Sequence, residues 1–162
     1  MNDHIFDFMP IVKAGFAYAI VQYHGAPDKK YPTQVNDVLK AIEFLKENYQ
    51  NYPIDFKNVF LSGDSSGGHI ALLVALQNNY SFKGIIDLYG ITNFMTFNDW
   101  YSKYDWYEKE NVSDFLGSLD EQLLIEASPM TYLKENAQFK KIVALSNLIQ
   151  RIYHNDIRNM LP

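Results

Sequence analysis

Up to Leu88 the apolar residues fall into two kinds of run. The unbroken stretch Phe16 to Val21 has the continuous apolar character of a strand buried on both faces, and Phe82 to Leu88 reads as another buried-type strand. A third strand is predicted over Lys57 to Leu61, on Val59, Phe60 and Leu61. Between these stretches the spacing becomes helical. Val35, Val38, Leu39, Ile42 and Leu45 predict a helix that Thr33 can cap and that Asn51, Tyr52 and Pro53 close. Ile70, Ala71, Leu72, Leu73, Val74 and Leu76 predict another, reaching about Asn79. Phe6, Phe8, Met9, Ile11 and Val12 suggest a short helix ending near Gly15, and the loop Gly25 to Pro32 breaks structure.

Strand, helix, strand, helix, strand is an alternating order. The expected fold class is therefore α/β, a mostly parallel sheet flanked by helices. Such sheets hold their sites beyond the carboxyl ends of the strands, where Ser65 and the loop Asp87 to Gly90 both fall. No repeat or linker divides the chain, so 1–162 reads as a single domain. Within it, 91–127 differs. The middle segment is crowded with Phe94, Phe97, Trp100, Tyr101, Tyr104, Trp106, Tyr107 and Phe115, without a clean period. One reading is a lid-like insertion over an apolar acyl or aryl pocket; the other is ordinary packing of an irregular excursion. Towards the end, Leu145, Leu148, Ile149, Ile152 and Ile157 recur as on an amphipathic helix.

Composition narrows function mainly by exclusion. The 162 residues are 48% hydrophobic and 15% aromatic, a globular composition. A net charge of −5, with both signs interspersed, gives no footprint for nucleic acid or an acidic membrane. Cysteine is absent, which excludes thiolate catalysis, disulfides and Cys-based zinc sites and fits a cytoplasmic location. No metal motif or phosphate-cradling loop appears, so neither metal nor cofactor is expected. The run at Phe16 is far shorter than the ~20 apolar residues needed to span a bilayer. Met1 to His4 lacks a basic targeting start.

The chemistry is concentrated in Val59 to Ala71, VFLSGDSSGGHIA. An apolar strand runs into the turn Gly63-Asp64-Ser65-Ser66-Gly67, and a helix follows at once. That context gives a G-x-S-x-G match its meaning, because the turn must hold the central serine strained and exposed. Ser65 is the candidate nucleophile. Gly63 and Gly67 are expected where side chains would collide, and Gly68 and His69 continue the motif. The first helix amides would face a developing oxyanion.

GDSSGGHIAL resembles the GDSAGGH elbow of alpha/beta-hydrolase esterases, in the hormone-sensitive-lipase-like and acetyl-esterase or feruloyl-esterase-like branch. Tyr23-His24-Gly25-Ala26-Pro27-Asp28 is similar to that branch's Tyr-Arg-Leu-(Ala/Ser)-Pro-Glu loop. Tyr31-Pro32 with Asn36-Asp37-Val38, Tyr52-Pro53-Ile54-Asp55, Leu88-Tyr89-Gly90 and Ser128-Pro129-Met130-Thr131-Tyr132 also have counterparts there, in the same order from about Phe6 to Leu133. The resemblance implies a serine carboxylester hydrolase with a partial alpha/beta-hydrolase fold, a small-molecule ester as substrate, and the Ser66 backbone N–H as one oxyanion donor.

Three departures accompany it. The family's His-Gly-Gly-Gly loop, source of a second oxyanion donor, has no counterpart. Phe139 to Asn147 contains neither the family's His-Gly nor its Asp, and no glycine follows Gly117. The family's catalytic histidine lies beyond Pro162. Asp87 and His154 are the remaining candidates for acid and base, in the order Ser65, Asp87, His154. The plainer readings are a loop-capping carboxylate and an exposed histidine. His69 is expected to buttress the elbow, His24 to pack its loop, and His4 to be solvated. These departures suggest a piece of a longer hydrolase. They also leave open a catalytically impaired or purely binding module, and they predict self-association through an exposed sheet edge.

Overall fold

The computed structural model describes residues 8–52, 54–78, 80–97, 108–133 and 142–145. Strands β1 (Phe60–Asp64), β2 (Gly84–Leu88) and β3 (Ile142–Leu145) form a parallel sheet in the order β1-β2-β3. Helix α1 (Met9–Lys13) ends before Gly15, whose φ is +91°. Helix α2 (Thr33–Asn48) is closed by a 3-10 turn at Tyr49–Asn51, and α3 (Ser66–Gln77) joins β1 to β2. Helices α4 (Glu108–Leu116) and α5 (Glu121–Glu126) and a 3-10 turn at Pro129–Tyr132 follow β2.

Helix α3 is apolar on every side and is accordingly enclosed: Gly68 through Ala75 are all buried. One side lies on the sheet face carrying Leu61, Gly63, Ile85 and Asp87, which alternate with outward residues as strand geometry requires. Val35, Val38, Leu39 and Ile42 of α2 pack against the same cluster, as their spacing predicted. Phe94, Phe97, Val112, Leu116, Leu124 and Ala127 build a second cluster. Part of the aromatic middle segment thus packs as a small core. Trp100, Tyr101, Tyr104, Trp106 and Tyr107 lie outside the described residues.

Four expectations need correction. Phe16 to Val21 forms no strand: it joins no ladder among the described residues, and Phe16, Tyr18 and Ile20 are exposed. A run like this is buried only with strands on both edges and layers on both faces. Among the described residues β1 has no partner at its outer edge, and Phe60 and Ile86 on the far sheet face are exposed. The elbow strand begins at Phe60 rather than Lys57, because the Asp55 carboxylate accepts the Lys57 N–H (2.8 Å) and the Asn58 Nδ2 (2.6 Å), locking a turn. Thr33 does not cap α2; Pro32 holds the cap position without a side-chain bond, and Gln34 Nε2 donates to Lys29 O (2.8 Å) to close the loop. Leu145 belongs to β3, paired with Leu88, not to a helix. Leu148, Ile149, Ile152 and Ile157 lie outside the described residues.

Candidate active site

Ser65 stands between the carboxyl end of β1 and the first turn of α3, with φ 49° and ψ −120°. These angles belong to a mirror-image turn position normally taken by glycine. Holding a serine there costs ~1–3 kcal/mol. Ser65 N–H donates to Leu88 O at the end of β2 (2.8 Å), and His69 N–H donates to Ser65 O (3.1 Å) to begin the helix. The residue is exposed, as a nucleophile must be.

Close packing explains the glycines, though not as the motif suggested. A Cβ on Gly63 would overlap the Gly67 carbonyl group, so β1 and α3 touch backbone to backbone. At Gly67 a Cβ would meet only Asp64 Oδ1, at 3.9 Å, so the predicted collision is absent there. The obligatory second glycine is Gly68, whose Cβ would strike Asp87 Oδ1. Gly90 is equally confined, between Asp87 Oδ1 and the His69 amide. Gly63, Gly68 and Gly90 thus let strand, helix and following loop converge beneath Ser65.

The Asp87 side chain is buried at this convergence. Its Oδ1 accepts the Gly90 N–H (2.8 Å), and burial, only partly opposed by that bond, pushes its pKa up to about 6. His69 is buried too. Its Nδ1 donates to Ile91 O (2.6 Å), which fixes the Nδ1–H tautomer, and Nε2 has no partner. Burial lowers its pKa to about 4, so it stays neutral at physiological pH, wedged edge-on against Phe94 and Phe115. This is the buttress expected of it. His24 also has the loop-fastening role: its N–H and Nδ1 meet Asp37 Oδ2 on α2 at 3.0 and 2.7 Å. Those bonds hold the Asp37 carboxyl below its usual range. Asp64 is exposed, and its charge adds to partial burial in raising the Tyr18 hydroxyl. His4 and His154 lie outside the described residues.

Among the described residues no side chain hydrogen-bonds to Ser65 Oγ, and no cluster of His, Asp and Glu could hold a metal ion. The Ser66 amide belongs to the first turn of α3, where helix N–H groups have no intrahelical acceptor. Two groups escaped the sequence reading. Tyr23 OH lies 2.9 Å from Ser66 Oγ. Buried Ser128 Oγ accepts the Phe94 N–H (2.9 Å) and donates to Leu124 O (2.6 Å), tying the segment after β2 to α5. The Ser128-Pro129 match pointed at the second but not at its partners.

A serine at positive φ between a parallel strand and a helix, over a close-packed glycine contact, defines an alpha/beta hydrolase, and several of the relatives are named as esterases or lipases. More narrowly, the chain belongs to the BD-FAE family, whose model matches residues 3–144. An alpha/beta hydrolase of Acanthamoeba polyphaga mimivirus is 31% identical over 110 residues, covering 64% of this chain and 32% of that protein. Lipase 2 of Moraxella sp. is 38% identical over 74 residues, 46% of this chain and 17% of its own. The Francisella virulence factor BioJ superposes with a TM-score of 0.63 at 27% identity, covering 85% of this chain and 49% of BioJ. A truncated carbohydrate esterase from gut microbiota reaches a TM-score of 0.76 at 18% identity, covering 93% of this chain and 63% of that one, a likeness of fold. The chain spans a third or less of the length of these curated relatives.

Proposed function

We propose that this chain carries the nucleophile of a serine carboxylester hydrolase. The positive φ of Ser65 at the strand–helix junction carries the reading. Ser65 Oγ attacks the ester carbonyl and forms an acyl-enzyme that water releases. The Ser66 amide donates to the oxyanion. Asp87 is the candidate acid and His154 the candidate base. Their chain order, and the position of Asp87 near the end of the strand beside β1, support the assignment. With a pKa raised to about 6, Asp87 is largely ionised at neutral pH and takes up a proton in mild acid.

The substrate is a small ester with a short acyl or aryl group, including esters of carbohydrates. The names of the esterases, lipases and carbohydrate esterase that this chain resembles support that class. The segment 91–127 is proposed as a lid over an acyl pocket, although the contact of Phe94 and Phe115 with His69 behind the elbow favours the other reading, ordinary packing, for that part of it. The test is hydrolysis of an aryl acetate by the purified chain, expected to vanish in Ser65→Ala. A folded chain without turnover favours the second reading, a catalytically impaired or binding module.

A further inference from the structure

Tyr23 has no role in the mechanism above, yet its hydroxyl meets the residue that carries the oxyanion-binding amide. Tyr23 OH and Ser66 Oγ lie 2.9 Å apart in an exposed pair. Two hydroxyls carry two protons, and the bond between them uses one. The second O–H remains free to donate, at the first residue of α3 and one residue from Ser65. Tyr23 is held in place from both directions. Its ring packs against the main core, and the next residue, His24, is fastened twice to Asp37 on α2.

We infer that the Tyr23–Ser66 hydroxyl pair supplies a second donor to the oxyanion, beside the Ser66 amide: the hydroxyl whose proton stays free donates, and its partner positions it. The inference rests on Ser65 being the nucleophile. In either direction of the pair bond one proton stays available, and hydroxyls rotate to follow developing charge. A donation to an oxyanion is charge-assisted and stronger than the neutral bond within the pair. The pair depends on a serine at position 66, since alanine there would leave Tyr23 without this partner.

The test is the rate at which a fluorophosphonate modifies Ser65 in the folded chain. The Ser65 Oγ–P bond forms as the P–F bond breaks, fluoride leaves, and the serine proton passes to buffer. The phosphoryl oxygen occupies the oxyanion position. Of Tyr23→Phe and Ser66→Ala, the one that removes the donating hydroxyl is expected to slow labelling ~10²-fold, the usual loss for one oxyanion donor, and the other to slow it less, both with the thermal midpoint unchanged. The double variant should be no slower than the slower single one, and Ser66→Thr, which keeps a hydroxyl, should retain most of the wild-type rate. Labelling of both single variants at the wild-type rate, or losses that multiply in the double variant, overturns the inference while leaving Ser65 as nucleophile. A folded wild-type chain that takes no label overturns both.

Discussion

At the scale of single residues, the elbow separates the needs of chemistry from those of folding. Ser65 occupies a backbone position that glycine takes without penalty. Ser65→Gly should therefore raise stability by ~1 kcal/mol or more in urea unfolding, whereas Ser65→Ala should leave it nearly unchanged; a Ser65→Gly variant no more stable than wild type would contradict the strain. The glycines divide in the same way. Gly67→Ala has open space and improves helix propensity, so it should be neutral or stabilising by up to ~1 kcal/mol. Gly68→Ala forces a methyl onto Asp87 Oδ1 and should cost ~1–3 kcal/mol. Equal midpoints for these two variants would contradict the packing. The motif made Ser65 legible because strand, turn and helix signals agree locally. It assigned the collision to Gly67 because the carboxylate that confines Gly68 lies on another strand, far along the chain.

At the scale of elements, α3, β2 and the loop after β2 meet around two buried titratable groups with opposite pH behaviour. The raised pKa of Asp87 stabilises the fold below about pH 3.8, and that contribution is lost as pH rises through about 6. The lowered pKa of His69 stabilises above about pH 6.5, and that contribution is lost as pH falls through about 4. The windows overlap, so in the wild type the two slopes largely offset. Asp87→Asn removes one of them. Its stability should climb with pH between 4 and 6.5 by an amount on the order of 3 kcal/mol, read from urea midpoints across that range. A variant profile as level as the wild-type one would contradict the opposition. Helix α2 was legible from its periodicity, since it buries one face against its neighbours, and α3, enclosed on every side, was legible from the apolar run that follows the elbow glycines. Phe16 to Val21 was not, because a doubly buried strand is made by partners that the run itself does not specify. The start of β1 was obscured by Asp55, whose side chain holds Lys57 and Asn58 in a turn.

At the scale of the whole molecule, one face of the sheet is covered by α3, and no helix among the described residues covers the other. Phe16 meets Phe60 edge-on on that open side, and Ile20 and Ile86 are exposed as well. With β1 unpaired at its outer edge among the described residues, this surface combines the two usual causes of association. The chain should form concentration-dependent assemblies by light scattering coupled to size-exclusion chromatography, and Ile20→Lys should shift it towards monomer; a wild-type monomer at every concentration would contradict this. No helix among the described residues is long and apolar enough to cross a membrane. The chain spans only part of each relative it matches, and the elbow is the part with a complete geometric account. The measurement that tests it most directly is mass spectrometry of the folded chain after reaction with a fluorophosphonate. The account predicts one adduct, on Ser65, absent from Ser65→Ala and from heat-unfolded protein. A folded chain that carries no adduct, or carries it on another serine, would contradict it.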